Sequence, residues 1–568
     1  MDYMERKDWI LFTLLLLLGL ALRLDFLIAN NFTIDSDEAI VGIMAKHINE
    51  GIARPVFYYG QHYLGSLESM IAALFFKIFG INEISLKAVP LTFSIIFIAL
   101  IFFLTKEILN KKYAFFAMLL ASVAPSSLII WSGKARGGFI EVVVLGALAM
   151  LLSFKWQKSE DKNKLLTFVI AGVLGLGWWV NNQIIYFIPA IIIIYLTRIL
   201  CDKRDYLIKK RLAIYDHFLI AVVGFFLGSI LFWIYNFRHN FISFEMLQSD
   251  PTNFIEHAKN FFKYSLPIIL GAKRYWSKAD IFPYLTLISY SLHIFLVLAF
   301  TFYKKEKKEV IGISYGGSFL VVFISTFFFF SYSKFGSLYL APRYLLPLYV
   351  IIFPVLGVAI GKLYDKNKFL GITFLIALLS LYLISDYGKR RALLGEPLIF
   401  EEQRASDDHS DVISWLRKNK INVIRTNYWI GYRLAFETKE DIKFLVSGIP
   451  HTIRIKSYES LVSDDKRDLV PFLAVPREAR YIRNALTYLG FSYKQRRFKN
   501  YRLIYNIKKN YNDSDLVQVS KNLISIEVSD NEALKHAIND SNIETRWGSG
   551  RGQASDMYVK FSFAIPTK

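Results

Sequence analysis

Long apolar runs alternate with short polar connections over the first 385 residues of the chain, after which the sequence becomes polar. Each run is close to the length that a helix needs to cross the hydrocarbon core of a membrane. We place eleven of them at 9–29, 86–105, 113–132, 138–154, 165–181, 183–200, 214–235, 282–303, 310–331, 342–361 and 369–385. The pattern predicts a polytopic α-helical membrane protein with about eleven transmembrane helices.

The charges of the short connections predict the orientation of the chain. If the N-terminus is cytoplasmic, the cytoplasmic connections are all rich in Lys or Arg: 106–112, 155–164, 198–211, 304–308 and 362–368. The short connections on the other side carry little positive charge. This is the positive-inside rule, so we predict an N-in, C-out topology in the plasma membrane. A further apolar stretch at 66–80 would invert every later connection, and we therefore predict a helix lying in the outer interface.

Net charge and cysteine content narrow the classes of partner. The 568 residues carry 68 Lys and Arg against 47 Asp and Glu, a net charge of +21. Such an excess of positive charge would suit a protein that binds nucleic acid. Much of the excess, however, lies in the cytoplasmic connections, where the predicted topology explains it. We therefore expect the lipid bilayer as a partner and no nucleic acid. The single Cys201 excludes an internal disulfide and a CxxC metal site.

Changes in composition divide the chain into three parts. Residues 1–385 form the predicted transmembrane domain, with long outer loops at 30–85 and 236–281. Residues 386–508 alternate between helix and strand patterns and predict an extracytoplasmic α/β domain. Its predicted elements are the helices Asp411–Asn419 and Ala479–Leu489 and the strands Val423–Thr426, Arg433–Glu437, Lys443–Val446, Val470–Val475 and Tyr501–Asn506. Residues 509–568 read as a short β-rich tail.

The first outer loop holds the most distinctive chemistry. Asp35, Asp37 and Glu38 place three carboxylates in four residues, directly beyond the first apolar run. Such a group is costly beside a bilayer unless it meets water, a cation or a proton of a substrate. Its simplest reading is a helix start, with Asp35 or Ser36 as the N-cap.

The stretch that follows adds aromatic and polar side chains. Tyr59, His62, Tyr63 and Glu68 lie within 54–68, which also opens the interfacial helix. Sugars are bound by aromatic faces and polar groups, and a hydroxyl nucleophile needs a carboxylate base. The alternative for the tyrosines is an aromatic belt at the level of the headgroups.

These segments resemble the GT-C superfamily of membrane glycosyltransferases, in particular the branch of protein O-mannosyltransferases and lipid A aminoarabinose transferases. The order is similar: a first span, an outer loop with an Asp-Glu pair, a Tyr/Gly/His-rich stretch, an interfacial helix and a second span. Three later segments agree, 131–141, 341–349 and 411–436. The likeness covers about 1–505.

The resemblance implies an inverting glycosyltransferase that takes a sugar from a polyprenyl-phosphate donor, such as a dolichyl phosphate, at the outer face of the membrane. The acceptor would be a protein, lipid or glycan. By position, Asp37 is the implied catalytic base, with Glu38 beside it and Asp35 as the competing base. Tyr59, His62, Tyr63, Glu68 and Tyr344 are expected to bind substrate.

The leaving lipid phosphate needs cations at the outer face, where few are available. The candidates are Lys134, Arg136, Lys273, Arg274 and Arg343, with arginine preferred for its fork of donors. Arg136 and Arg343 lie in family-like segments. Lys273 and Arg274 are as compatible with simple contacts to lipid headgroups.

Three further expectations complete the reading. Asp35-Ser36-Asp37 resembles metal-binding Asp-x-Asp pairs, yet a lipid monophosphate leaving group has less need of a cation, so we expect no metal and no other cofactor.

Parts of 533–561 resemble the opening of a discoidin-like jelly roll, which 60 residues do not complete. The alternative functions are a transporter or flippase of lipid-linked sugars and a carbohydrate-binding receptor; a transporter would place ionisable groups in its spans, where few occur.

Overall fold

The structure is a computed structural model that describes residues 4–159, 163–201, 207–246, 249–274, 277–302, 313–386, 398–400, 403–447, 452–510, 524–538, 547–548 and 557–563. The chain divides into two compact units, Met1–Gly395 and Glu396–Lys568.

In its described residues, the first unit contains helices, their connections and one short hairpin. Its helices are α1 (Arg6–Ala29), α2 (Ser36–Asn49), α3 (Leu67–Phe79), α4 (Glu83–Ile108), α5 (Lys111–Val123), α6 (Ser126–Trp131), α7 (Phe139–Lys158), α8 (Lys164–Val180), α9 (Ile188–Leu200), α10 (Leu207–Gly228), α11 (Ile230–Arg238), α12 (Ile242–Met246), α13 (Phe254–Asn260), α14 (Leu266–Ile269), α15 (Leu285–Phe302), α16 (Tyr315–Tyr332), α17 (Tyr349–Lys366) and α18 (Lys368–Asp386). The strands β1 (Phe57–Tyr58) and β2 (Gln61–Gly65) pair antiparallel between α2 and α3.

Among the described residues, seven helices are long and apolar enough to cross a membrane, or eight if the bent pair α10 and α11 forms one span. Two shorter apolar helices, Lys164–Val180 and Leu285–Thr301, lie at two further predicted spans. A polytopic helical membrane protein is thus confirmed. The eleven crossings and the N-in, C-out orientation stay predictions, and the basic residues of 202–206 and 304–308 lie outside the described residues.

Two predicted spans are broken rather than straight. The stretch 113–132 is divided at Ala124 and Pro125, where Ala124 has a φ of 28° and the proline offers no N–H to continue the helix. The stretch 214–235 bends by 69° at Ser229. The glycine before this bend, Gly228, brings the α10 backbone directly against that of Gly172 in α8, in the way that small residues allow between membrane helices.

A buried arginine ties the first helix to the core. The Arg23 guanidinium in α1 is 1% exposed and donates to Ser94 Oγ (2.5 Å) in α4 and to the carbonyl of Ser122 (3.1 Å) in α5. Helix α4 also packs on α7, and α2 packs on α3. The start of α2 lies beside the segment that connects α6 to α7, residues 132–138, which donates hydrogen bonds to Asp35 and Glu38.

The second unit contains a five-stranded mixed sheet with helices. Its elements are β3 (Leu398–Phe400), β4 (Gln403–Arg404), α19 (Ser410–Lys418), β5 (Val423–Thr426), α20 (Tyr428–Glu437), β6 (Lys443–Val446), β7 (Phe472–Ala474), α21 (Pro476–Tyr488), β8 (Phe491–Arg497), β9 (Arg502–Lys509), β10 (Ile524–Val528) and β11 (Val559–Phe563). The sheet order is β6-β5-β7-β9-β8. Strands β5, β6 and β7 are parallel, and β9 is antiparallel to β7 and β8.

One element of this unit differs from the prediction. Residues Arg433–Glu437 are not a strand but the second half of α20. Asn427 caps this helix by accepting from the N–H groups of Trp429 (3.0 Å) and Ile430 (3.1 Å), which commits the following residues to helix. The predicted discoidin-like segment is described only in part, as the antiparallel pair β10 and β11, and its residues 539–546 and 549–556 lie outside the described residues.

Candidate active site

The acidic loop begins α2 with a reciprocal cap. Asp35 is the N-cap, and its Oδ1 accepts from the Glu38 N–H at 3.1 Å. The Glu38 carboxylate in turn accepts from the Asp35 N–H at 3.1 Å. Both carboxylates lie at the positive end of the helix dipole. The cap fixes the direction of the residues between them, Ser36 and Asp37.

Two of the three carboxylates are buried against cations. Asp35 and Glu38 are both 0% exposed. Lys134 Nζ lies 2.8 Å from Asp35 Oδ2, and an Arg136 terminal nitrogen lies 2.6 Å from the same oxygen. Lys87 Nζ, in α4, lies 2.5 Å from Glu38 Oε1, which also accepts from the Ala135 N–H. Buried charges require such pairing, so these side chains form a fixed frame.

Asp37 differs from its neighbours because its carboxylate reaches solvent. Its side chain is 29% exposed, and one of its oxygens lies 3.1 Å from an Arg136 terminal nitrogen. Tyr58 in β1 donates to the Asp37 carbonyl at 3.1 Å, which ties the hairpin to the start of α2. Of the three predicted acids, Asp37 is therefore the one that a substrate can approach.

Burial and neighbouring charges shift the pKa values of Asp35, Lys134 and Arg136 in this frame. Burial opposes ionisation of Asp35, but Arg136 and Lys134 outweigh it and hold the pKa of Asp35 well below its usual range. Burial lowers the pKa of Lys134, whereas the carboxylates of Asp35 and Asp37 overcome burial at Arg136 and raise its pKa. The charges of Asp35 and Arg136 are thus retained at any ordinary pH.

Glu68 holds the segment that carries the cations. Its Oε2 accepts from the N–H groups of Gly137 (2.5 Å) and Gly138 (3.3 Å). Both glycines have a positive φ, and a Cβ on Gly138 would lie 2.6 Å from Val180 Cγ1. Glu68 is 1% exposed, and burial together with the charge of Glu141 raises its pKa well above the usual value. Glu68 therefore contacts the backbone of this segment and supports Arg136.

Trp131 brings two predicted phosphate-binding arginines to one place. Lys134, Arg136 and Arg343 all lie over its ring, at 5.5, 5.4 and 5.3 Å from the centroid. Arg343 also lies 4.9 Å from the ring of Tyr344. Cations over an indole face are attracted by its quadrupole. The segments 131–136 and 343–344, far apart in sequence, thus form one cationic surface next to Asp37.

Aromatic rings extend from this surface. Tyr344 stacks on Phe335 with centroids 4.8 Å apart, and Phe335 lies 6.0 Å from Tyr63. Lys334 Nζ lies 5.9 Å from the Phe335 centroid. Tyr63 and Tyr344, both predicted to bind substrate, are therefore linked through a single ring.

The remaining predicted residues make other contacts. The Nδ1 atom of His62 lies 3.1 Å from the hydroxyl of Tyr235, on which its ring stacks, and the hydroxyl of Tyr59 lies 2.9 Å from His47 Nδ1. Lys273 forms an ion pair with Asp280. Arg274 is half-buried, and its neighbours Tyr275 and Trp276 lie outside the described residues.

Sequence reasoning missed Lys87. It lies near the start of an apolar run, where a lysine is usually a headgroup contact. Its signal is weak, because only the fold brings it to Glu38, which is 49 residues away in sequence.

Within the described residues, no group of three or more His, Cys, Asp or Glu side chains could hold a metal ion. Both Asp35 oxygens already accept from Lys134 or Arg136. The carboxylate of Asp35 is therefore occupied by protein cations, whereas that of Asp37 reaches solvent.

Comparisons with known proteins bear on the fold. The family model described as Dolichyl-phosphate-mannose-protein mannosyltransferase matches residues 67–231. The chain is similar to ArnT from Cupriavidus metallidurans bound to undecaprenyl phosphate, with a TM-score of 0.58 and 11% identity over 88% of this chain and 98% of that one. It is similar to the Archaeoglobus fulgidus oligosaccharyltransferase in complex with zinc and sulfate, with a TM-score of 0.51 and 12% identity over 87% and 73% of the two chains.

A third similar structure is the oligosaccharyltransferase AglB from Archaeoglobus fulgidus with an inhibitory peptide and a dolichol-phosphate, with a TM-score of 0.50 and 11% identity over 90% and 75% of the chains. No curated protein sequence matches the chain. The resemblance to GT-C membrane glycosyltransferases is thereby confirmed, and the chain has their fold. The matched segment includes Glu68, Lys134 and Arg136 but begins after the acidic loop.

Proposed function

We propose that the protein is an inverting glycosyltransferase that moves a sugar from a polyprenyl-phosphate donor to a protein, lipid or glycan acceptor at the extracytoplasmic face of the plasma membrane. One observation carries the proposal. The accessible carboxylate of Asp37 lies 3.1 Å from Arg136, and Arg136 shares the Trp131 ring with Arg343. A base and a cluster of cations are thus adjacent, as this reaction requires.

Asp37 is the base in this proposal. Its carboxylate takes the proton of the acceptor hydroxyl as the acceptor oxygen forms a bond with the anomeric carbon. The bond from that carbon to the phosphate oxygen breaks on the opposite face, and polyprenyl phosphate leaves with the bonding electrons. Asp35 is not the base in this proposal. Its two oxygens are held by Lys134 and Arg136, so it positions those cations.

Arg136 and Arg343 bind the phosphate of the donor in this proposal. Arg343 offers a guanidinium fork, which matches two phosphate oxygens at once, whereas Arg136 already directs Nε and one terminal nitrogen at Asp35. Arg136 also contacts Asp37, so a phosphate that takes over one Arg136 nitrogen leaves the Asp37 carboxylate to the acceptor hydroxyl. Donor binding and exposure of the base are then coupled through one side chain.

The stacked rings of Tyr344 and Phe335 are proposed to flank the sugar. Aromatic faces pack against the apolar faces of sugar rings. Tyr63, beside Phe335, offers a hydroxyl at the same place. His62 contacts Tyr235 and Tyr59 contacts His47, and we propose that both residues stabilise the conformation of the first outer loop.

Transfer of label tests the proposal. The purified full-length protein is incubated with a panel of radiolabelled polyprenyl-phosphate hexoses and pentoses, and label is followed into acceptors and, as slow hydrolysis, into water. We expect transfer with at least one donor and a loss of about 10²–10⁴-fold in Asp37→Asn. Asp216→Asn, which neutralises an exposed carboxylate in α10, is the matched control and should keep the full rate.

Two outcomes would contradict the proposal. One is a normal rate in Asp37→Asn, and the other is uptake of labelled donor lipid across vesicles without any transfer, which would indicate a flippase. Metal independence is a separate part of the proposal. EDTA should leave the rate unchanged, whereas a loss that Mn²⁺ restores would show that Asp35 and Asp37 bind a cation.

A further inference from the structure

Positive charge in the second unit is concentrated in one segment. Residues 476–510 hold ten Lys and Arg and a single acid, Glu478, whereas the rest of 396–568 holds 18 Lys and Arg against 21 Asp and Glu. The Glu478 carboxylate is turned inward and accepts from the Asn427 side chain at 3.3 Å. The segment therefore has no acid of its own at the surface to neutralise it.

The sheet brings three of these arginines to the same face. Arg502 in β9 lies opposite both Ala474 of β7 and Arg497 of β8. Ala474 packs in the core beneath α21, and side chains directly opposite in neighbouring strands share a face. Arg483 of α21 reaches the same strand pair by donating to Gln495 of β8 at 3.2 Å. Burial and the charges of Arg497 and Arg483 lower the pKa of Arg502, as expected for converging like charges.

The outer side of α21 carries further basic and aromatic side chains. Arg477, Arg480 and Tyr481 are exposed, and Tyr488, two turns further on, is 91% exposed. Tyrosine is enriched at surfaces whose partner is partly apolar and partly wet. We name the exposed side of α21 together with Arg497 and Arg502 the basic face.

A charged edge strand is also a device against aggregation, and β8 is an edge strand. That reading covers the residues of β8. It does not account for Arg477, Arg480 and Tyr488, because these lie on a helix that offers no strand edge.

We propose that the basic face docks on anionic lipid headgroups. Arginines with tyrosines are the combination that meets the interface of a membrane: the guanidinium groups bind lipid phosphates, and the phenol rings sit at headgroup level. The chain also constrains the partner. Only residues 387–397 separate the end of the apolar helix α18 from β3, and eleven residues extend to about 40 Å at most, so a membrane surface is within reach.

The full-length protein in lipid nanodiscs tests this docking. In a Cys201→Ser background, Asn484→Cys on the exposed side of α21 carries an environment-sensitive fluorophore, and Ser457→Cys carries it as a control outside the basic face. We expect a blue shift and quenching by brominated lipid for Asn484→Cys in anionic nanodiscs but not in neutral ones. The effect should weaken between about 0.05 M and about 0.5 M salt, because salt screens exposed charges.

Charge reversal separates lipid contact from a change in fold. Arg480→Glu/Arg497→Glu, both at exposed positions, should reduce the docked fraction by about tenfold or more. Lys418→Glu/Lys456→Glu makes the same change in net charge at exposed positions outside the basic face and should leave docking intact.

Three results would overturn the proposal. The first is an Asn484→Cys signal that is the same in neutral and anionic nanodiscs. The second is equal loss of docking in both reversal variants. The third is an equal signal from inorganic phosphate added to neutral nanodiscs, which would show a small-anion site instead of a lipid surface.

Discussion

Asp35→Asn should destabilise the protein far more than Asp37→Asn, although the two residues are neighbours. Asp35 is 0% exposed and lies within 2.8 Å of both Lys134 and Arg136. Neutralising it leaves two buried cations without their counter-charge, and breaking a buried pair in this way costs about 3–5 kcal/mol. Asp37 is 29% exposed, so its replacement by the isosteric amide should change stability by about 0.5 kcal/mol or less.

The dependence on pH provides an internal check. The pKa of Asp35 is lowered in the folded protein. Its contribution to the free energy of unfolding is therefore complete above the unfolded pKa of about 3.9, and it is lost as the pH falls through the pKa of the folded state. The difference in unfolding free energy between the wild type and Asp35→Asn should therefore be constant from about pH 5 to 8 and should shrink in stronger acid.

Unfolding of the full-length protein in detergent, followed by tryptophan fluorescence in denaturant, measures both variants. The transfer rate is measured on the same samples. We expect Asp35→Asn to unfold early and Asp37→Asn to unfold like the wild type but to lack turnover. The reasoning is refuted if Asp35→Asn is as stable as Asp37→Asn, because the ion pairs would then not form the frame.

Three further changes have defined outcomes. Arg343→Gln should lower kcat by about tenfold to a hundredfold, and Arg343→Lys should recover only part of the loss, as measured by initial rates. Because the pKa of Glu68 is raised in the folded protein, its contribution to stability should be lost as the pH rises above the unfolded value of about 4.3, and Glu68→Gln should remove this part of the slope in unfolding curves recorded at several pH values. Burial opposes ionisation of Glu437, but His409 and Arg433 lower its pKa to about 2. Its ionised form should therefore contribute about 3 kcal/mol to the free energy of unfolding above about pH 4.3, and this contribution should disappear as the pH falls to about 2. Hydrogen exchange in α20 measures that loss, and Glu437→Gln should be insensitive over this range.

The local features of the site could be predicted from the sequence, whereas its long-range partners could not. Asp35 caps α2 because the signal for a cap is contained in four residues. Lys87 pairs with Glu38 only because α4 and α2 are packed together. The surface around Trp131 likewise joins segments about 200 residues apart, and no spacing rule connects Arg136 to Arg343.

The fold shows the same division. Hydropathy located the apolar helices, since length and composition decide whether a helix can span a membrane. It did not foresee the break at Ala124 and Pro125. It also did not foresee that Arg433–Glu437 is helical, because the deciding cap at Asn427 lies outside the segment. The predicted orientation accounts for much of the net charge, yet ten basic residues are in 476–510, far from any short connection.

The carboxylates at the start of α2 are balanced by neighbouring cations, and Arg343 adds a further positive charge. Three carboxylates at the start of α2 are matched by the cations of Lys87, Lys134 and Arg136. Arg343, over the same indole, therefore leaves one positive charge in excess. A polyprenyl phosphosugar is a phosphodiester with a single negative charge, whereas the leaving monoester carries about −1.5 to −2 at neutral pH. As the bond to the sugar breaks, the attraction between the phosphate and Arg343 grows, so this residue stabilises the transition state more than the bound donor. Its loss should accordingly appear in kcat more than in donor affinity.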